Sequence, residues 1–106
     1  MSEHTLVEND VQYLSFYLME KDGITGSLTY YDLSDISGIV FRMKKYGASS
    51  PTIEANMEVV SASLGYCRVK VTIPTSGKYY SEIEVRESGQ TITWIGDIYH
   101  VVRGIG

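Results

Sequence analysis

The amino-acid sequence predicts an all-β domain, with antiparallel sheets arranged as a sandwich or a barrel. The first indication is a two-residue alternation of apolar and polar side chains, which is typical of strands with one buried face. The second is the spacing of these segments, which recur about every 10–12 residues between turn-forming residues. The third is that no segment combines a 3.6-residue apolar repeat with a helix-capping residue.

Four segments carry the alternation most clearly. They are residues 39–44, 52–59, 66–73 and 79–86. In the third of them, Cys67, Val69 and Val71 share an apolar face, while Arg68 and Lys70 lie on the opposite face. This pattern predicts strands that pack on a common core and expose their polar faces to water.

Four further strands complete a predicted set of seven or eight. They are residues 11–20, 27–31, 91–95 and 98–103. Asp22-Gly23 and Ser88-Gly89 predict hairpin turns, because glycine adopts positive φ without a steric penalty. The short segment at residues 34–37 has room for one helical turn at most.

The length of 106 residues fits one domain, which we assign to residues 10–106, preceded by a polar N-terminal arm at residues 1–9. Cys67 is the only cysteine, so no internal disulfide forms.

The net charge of −4 and the small size of the basic cluster at Arg42, Lys44 and Lys45 argue against a nucleic-acid partner. No apolar run approaches the roughly 20 residues of a transmembrane helix, and we predict no membrane association.

The sequence predicts no enzymatic activity. His4 and His100 are the only histidines, and neither stands in a nucleophile–base motif. Cys67 is expected in the core as a small apolar residue. Glu82 and Glu84 share a face that is expected to be solvated, which is the ordinary alternative to a pair of catalytic carboxylates.

No cofactor or metal ion is predicted either. One cysteine and two distant histidines do not make a structural zinc site. Asp32 and Asp35 carry oxygen ligands that suit calcium, but their spacing differs from an EF-hand loop. Local capping of a turn is the favoured role of these two aspartates.

The N-terminal strand at residues 11–20 has two apolar faces, and only one of them can face a shared core. The other face predicts a contact with a partner, or cover from residues 27–33 of the same chain. Tyrosines are enriched at interfaces, and those expected on outer faces join the set. The candidate interface residues are Val11, Tyr13, Tyr17, Met19, Tyr30, Tyr31, Tyr66, Tyr80 and Tyr99.

The order of motifs resembles a known family. The motifs are YDLSDISG at residues 31–38, IVFRMKKYG at 39–47, GYCRV at 65–69 and SGKYYSEIEV at 76–85. They are similar to the N-terminal domain of the upper baseplate protein of phages that infect Gram-positive hosts, and to related immunoglobulin-like domains of phage virions. The similarity covers most of residues 10–103.

The resemblance implies an immunoglobulin-like antiparallel β-sandwich that serves as a structural joint in a virion. The implied partners are other virion proteins or copies of the same chain, and the protein would be made in the host cytoplasm. In the family, a long extension or a further domain usually follows this domain. The stop at Gly106 argues against a receptor-binding role within this family. It favours a tail, baseplate or neck connector, a capsid decoration subunit, or a shortened piece of a longer protein.

A carbohydrate- or receptor-binding module is the alternative function. Such a module would present two or three aromatic rings on one exposed plane. Tyr66, Tyr80 and Tyr99 form this plane only if their strands are neighbours in one sheet.

Overall fold

The computed structural model describes residues 3–105, and these residues form ten β-strands and no helix. The strands are β1 (Glu3–Val7), β2 (Val11–Tyr17), β3 (Met19–Lys21), β4 (Leu28–Tyr30), β5 (Gly38–Lys45), β6 (Ile53–Asn56), β7 (Glu58–Ser61), β8 (Tyr66–Thr72), β9 (Gly77–Glu87) and β10 (Gln90–Val102). The all-β prediction is confirmed. The predicted count of seven or eight strands is too low. The predicted strands at residues 11–20 and 52–59 are each divided, and β1 is an additional strand. In the other direction, the predicted strands at residues 91–95 and 98–103 are one continuous strand, β10.

The strands form three sheets. The largest has the order β1-β10-β9-β5-β6, the second has the order β2-β8-β7, and β3 and β4 make a two-stranded hairpin. The pairs are antiparallel except for β1 and β10, which run parallel.

The main core lies between the inner faces of the five-stranded and three-stranded sheets. Phe41, Ile83 and Val85 enter it from the larger sheet, and Cys67 and Val69 enter it from the smaller one. These side chains alternate with polar ones along their strands, so the predicted inner faces of β5, β8 and β9 are confirmed. Burial of apolar surface in such a core stabilises the folded state by roughly 25 cal/mol per Å².

The predicted strand at residues 11–20 is broken at Leu18. The Leu18 side chain is buried, and its N–H donates to the carbonyl of Gly65 at 2.8 Å. The carbonyl of Leu18 in turn accepts from the N–H of Tyr31 at 2.8 Å, where the chain returns from β4. Leu18 thus serves as the corner at which the chain leaves β2 and enters the β3–β4 hairpin.

The predicted N-terminal arm is instead largely an edge strand. Residues 3–7 form β1, which pairs with β10 and places Leu6 opposite Val101 in the core. The first three residues of β1 are polar and exposed, but Leu6 is buried and Val7 is partly buried. Burial of these two apolar side chains holds β1 in place. Met1 and Ser2 of the predicted arm lie outside the described residues.

Both predicted hairpins are present. Ser88 and Gly89 have φ values of 51° and 75° and link β9 to β10 in a two-residue turn. In the β3–β4 hairpin, the positive φ falls on Gly26 rather than on Gly23. The Asp22 carboxylate stabilises this longer turn by accepting from the N–H groups of Ile24 and Thr25.

Candidate functional site

The outer face of the three-stranded sheet carries a cluster of exposed and partly exposed side chains, of which four are aromatic or aliphatic and one is an arginine. We call it the tyrosine face and define it by Val11, Tyr13, Tyr17, Tyr66 and Arg68. Val11 and Tyr13 are each 60% exposed and Tyr17 is 55% exposed. Their strand neighbours point to the core, so the alternation of β2 places every second side chain on this face.

Two tyrosines of this face are stacked on each other. Tyr17 and Tyr66 are opposite each other in the β2–β8 register, and their ring centroids are 4.5 Å apart with planes 9° apart. Tyr30 reaches the same group from the β3–β4 hairpin, with its ring 6.0 Å from that of Tyr17. Tyr17 remains 55% exposed in this stack, and an exposed tyrosine offers both apolar ring surface and a hydroxyl for contacts with protein groups.

A cation is held against the same face. The guanidinium carbon of Arg68 lies 5.2 Å from the ring centroid of Tyr13. Nε of Arg68 donates to the carboxylate of Glu58 on β7, and this contact raises the pKa of Arg68. The face therefore combines tyrosine and arginine, two of the residue types that are enriched at the energetically dominant positions of protein interfaces.

Most of the candidate interface residues are exposed in the structure. The exposed ones are Val11, Tyr13, Tyr17, Met19, Tyr30 and Tyr80, and Tyr66 is partly buried. The predicted alternative was that residues 27–33 cover the outer face of residues 11–20. Tyr30 contacts Tyr17, but Val11 and Tyr13 remain open.

The prediction that Tyr31 is an interface residue is wrong, because its side chain lies in the core. Its side chain is 8% exposed and packs edge-on against Trp94 at 5.1 Å. The hydroxyl donates to Glu87 Oε2 at 2.5 Å, and this hydrogen bond raises the pKa of Tyr31 to about 12. A buried tyrosine needs such a partner, since an unpaired hydroxyl in the core is costly.

The prediction that Tyr99 is an interface residue is also wrong, because its side chain is only 2% exposed. The register of β10 shifts between Ile95 and Ile98, and the bulge brings Tyr99 to the inner face. Tyr66 and Tyr80 lie in different sheets. The aromatic plane of Tyr66, Tyr80 and Tyr99 that a carbohydrate module would need is therefore not formed.

The outer face of the five-stranded sheet carries an ionic network that sequence reasoning missed. Arg42 on β5 donates to Glu54 at 2.6 Å and to Glu84 at 2.8 Å, and lies 3.4 Å from Glu82. Glu84 also accepts from Arg86 at 2.9 Å, and its pKa is lowered by both arginines. The sequence does show that Glu82 and Glu84 share one strand face. It does not show that Arg42 of β5 contacts them, because this contact depends on the register between β5 and β9.

A groove of about 250 Å³ lies beside this network. Its apolar lining comes from Tyr80, Pro51 and Ile95, and Ile95 is 73% exposed. Tyr80 of this groove meets Tyr46 edge-on, with ring centroids 5.2 Å apart, whereas Tyr17 and Tyr66 of the tyrosine face are stacked. The groove is a second exposed apolar surface, on the opposite side of the core from the tyrosine face.

The residues with reactive side chains are separated in the structure. His4 bonds Asp97 and His100 bonds Glu3, each at 2.8 Å, along the β1–β10 edge. Cys67 is buried in the core, where burial raises the pKa of its thiol to about 11. Within residues 3–105, no group of three or more histidine, cysteine or acidic side chains is placed to hold a metal ion.

The described residues thus define an all-β protein with a tyrosine-rich outer face and an apolar groove on the other side. No protein-family model and no curated protein matches the chain. Among residues 3–105 there is also no helix with the length and apolar character that crossing a membrane requires.

Proposed function

We propose that the chain is a non-enzymatic structural subunit of a phage virion, which acts by packing against other virion proteins or copies of itself. A tail, baseplate or neck connector and a capsid decoration subunit are the roles that fit. The proposal rests on the motifs that resemble phage baseplate domains, on the strand order and on the tyrosine face. The tyrosine face is the observation that carries the packing function.

The strand order supports an immunoglobulin-like sandwich of the variable type. In that fold, strands B, E and D form one sheet, and strands G, F, C and C′ form the other. Here β2, β8 and β7 correspond to B, E and D. The order β10-β9-β5-β6 corresponds to G, F, C and C′, while β1 and the β3–β4 hairpin are additions to this set.

Tyr79 adds a second argument for this fold. Immunoglobulin-like domains often have a tyrosine near the start of strand F whose hydroxyl bonds the backbone a few residues upstream. Tyr79 lies near the start of β9, is fully buried, and donates from its hydroxyl to the carbonyl of Thr75 at 2.8 Å. The disulfide of antibody domains has no counterpart, because Cys67 is the only cysteine.

The tyrosine face supports packing as the function. Contiguous exposed apolar area usually marks a contact site, and tyrosine and arginine are enriched in such sites. Tyr17, Tyr66 and Arg68 are already held by stacking and ion pairing, so a partner would order few additional side chains. This preorganisation favours a stable contact in an assembly.

The virion role is tested directly on particles. Phage particles are purified by density gradient from a lysate that contains the chain. The chain is then quantified by mass spectrometry relative to known tail and capsid proteins. We expect a fixed stoichiometry with one of these proteins. Absence from intact particles, with the chain present in the lysate, would remove the proposal.

The packing surface is tested with the double substitution Tyr13→Ser and Tyr17→Ser. Both side chains are more than half exposed, so the isolated domain should keep its circular dichroism spectrum. Loss of the Tyr17–Tyr66 stacking and of the Tyr13–Arg68 contact should cost about 1–2 kcal/mol of stability. Incorporation into particles should fall strongly. The matched control is Ile24→Ser, which removes an apolar side chain of 97% exposure from the β3–β4 turn and should leave incorporation unchanged.

A carbohydrate- or receptor-binding module is the second candidate, and the groove at Tyr80 and Ile95 is the observation that favours it. Arg42 and Glu82 line the same groove and supply polar groups of the kind that bind hydroxyls. Saturation-transfer NMR with a panel of bacterial wall glycans tests it. Binding that is lost on Tyr80→Ala, together with absence from particles, would favour this function over packing.

A further inference from the structure

The two larger sheets have four edge strands, and three of them carry features that discourage further strand pairing. β6 and β7 have four residues each, and β7 also has a register shift after Val59. β1 begins with the acidic Glu3 and with His4, whose side chains contact His100 and Asp97 of β10. Short length, irregularity and charge are the usual means by which proteins protect sheet edges.

β2 has none of these features. It is seven residues long, from Val11 to Tyr17, and contains no charged residue and no proline. Its pairing with β8 is continuous over all seven residues, without a bulge. In the described part of the chain, no strand pairs with its other side.

The backbone of β2 is oriented for pairing on that open side. Leu18 N–H donates to Gly65 in continuation of the β2–β8 register. Since antiparallel pairs alternate, the backbone groups of Leu14 and Phe16 face β8, and those of Tyr13 and Ser15 face the open edge. The backbone groups of the tyrosine-face residues of β2 are therefore the ones directed at a partner strand.

A groove runs beside this edge, between β2 and β1. It has a volume of about 320 Å³ and is lined in part by Leu6, Leu14 and Phe16. Leu14 and Phe16 are partly exposed, although they pack against the core. Another strand on this edge would cover them.

We propose that β2 pairs with β2 of a second copy of this chain, antiparallel about a two-fold axis at Leu14. The pairing would join two three-stranded sheets into one sheet of six strands. It deepens the proposed packing function, on which it rests, by naming a partner and the contact. The axis at Leu14 is the arrangement that pairs all seven residues of both strands.

The sequence of β2 is complementary to itself in this register. Val11 lies opposite Tyr17 of the second copy, and an aromatic residue facing a β-branched one is a favourable cross-strand pair. Tyr13 lies opposite Ser15 of the second copy, so a large and a small side chain meet. The absence of charge on β2 means that no like charges oppose each other, although each chain carries −4.

The two tyrosine faces would then be continuous across the axis. A two-fold contact uses one surface patch on both copies, which is the commonest symmetry of soluble oligomers. The combined face would be about twice as large as that of one copy, and it would still be open to other virion proteins. Self-pairing and packing against other proteins are therefore compatible.

The test measures the mass of the full chain by analytical ultracentrifugation, from about 1 µM to about 1 mM. We expect a monomer–dimer equilibrium that Ser15→Pro abolishes. Proline at position 15 removes an N–H that faces the open edge, so no bond to β8 is lost. Ser15→Ala is the matched control; it keeps the N–H and should dimerise like the unmodified chain.

Cross-linking provides a second readout that does not depend on how well the proline variant folds. Equal amounts of Tyr13→Cys and Ser15→Cys chains are mixed and oxidised. Positions 13 and 15 are directly opposite in the proposed register, at the Cα separation of about 5.5 Å that suits a disulfide. The mixture should cross-link more than either variant alone, and Cys67 is buried and should not contribute.

Two results would overturn the proposal. One is a monomer at every concentration together with no preferential cross-linking of the mixture. The other is a dimer that Ser15→Pro leaves intact while the variant remains folded. Neither result affects the virion role, which is decided by the presence of the chain in particles.

Discussion

The hydroxyl of Tyr31 donates a hydrogen bond to Oε2 of Glu87 at 2.5 Å, which joins the segment after β4 to the end of β9. The Tyr31 ring also packs against Trp94, whose Nε1 donates to the carbonyl of Met19 on β3 at 3.0 Å. These contacts tie the β3–β4 hairpin to the five-stranded sheet. The hairpin carries Tyr30, so they also position one part of the aromatic surface.

Replacing Tyr31 with phenylalanine should lower the free energy of unfolding by about 1.5 kcal/mol, the lower end for a hydrogen bond to a charged group. The ring contact with Trp94 is kept, so the loss reports on the hydroxyl. Urea denaturation followed by tryptophan fluorescence measures it. Tyr30→Phe is the control, because Tyr30 is 48% exposed and no change in stability is expected. Equal stability of both variants would contradict this role for the hydrogen bond.

Much of the fold was predictable from the sequence because the alternation has a direct physical cause. Successive side chains of a strand point to opposite faces, so Val69 and Ile83 had to be buried if Arg68 and Glu82 were solvated. The same reasoning placed Cys67 in the core and Tyr13 and Tyr17 on an outer face, and the structure agrees. These are local properties of one strand.

The errors have a different origin, because they depend on contacts between distant segments. Tyr31 is buried by Trp94 and Glu87, which are more than 50 positions away in the chain. Tyr99 is turned inward by a bulge, and β1 is held by its pairing with β10. Register and bulges are set by tertiary packing, and a strand's own sequence specifies them weakly.

Gly65 occupies a position where a side chain would meet backbone atoms. Its φ is +59°, and a Cβ would lie 2.4 Å from the carbonyl oxygen of Leu18 and 2.8 Å from that of Tyr31. Gly65→Ala should therefore cost more than about 2 kcal/mol, since the strained backbone and the steric overlap add. Gly47→Ala is the control; its φ is +83° but a Cβ there meets nothing within 4 Å, so about 1 kcal/mol is expected. Equal melting temperatures of the two variants would contradict the steric argument.

Arg42 holds three carboxylates together on the outer face of the five-stranded sheet. Arg42→Gln should lower the denaturation midpoint and leave Glu54, Glu82 and Glu84 with fewer compensating charges. Added salt should reduce the difference from the unmodified protein, because screening weakens both attraction and repulsion. Arg68→Gln is the control and should have a smaller effect, because the ion pair of Arg68 with Glu58 is exposed to solvent.

The Arg42 network should also depend on pH in a defined direction. The pKa of Glu84 is lowered from 4.5 by hydrogen bonds with Arg42 and then Arg86, so the folded state favours its charged form. Its contribution to stability is present above pH 4.5 and is lost as the pH falls through the lowered pKa. Melting temperatures of the unmodified protein and of Arg42→Gln should therefore converge in acid. A constant difference down to about pH 2 would contradict this linkage.

Cys67 gives a chemical probe of the packing between the three-stranded and five-stranded sheets. Its side chain is fully buried, and its thiol pKa is raised to about 11 by burial, so attack on a disulfide reagent requires opening of the core. At about pH 8 the native protein should react at least about a thousandfold more slowly than the denatured protein, in proportion to the small open population. Thr72→Cys in a Cys67→Ser background is the control, because Thr72 is exposed near the end of the same strand and its replacement should react immediately. Rapid reaction of native Cys67 would mean that β8 separates readily from the five-stranded sheet, and the tyrosine face would then lack a rigid support.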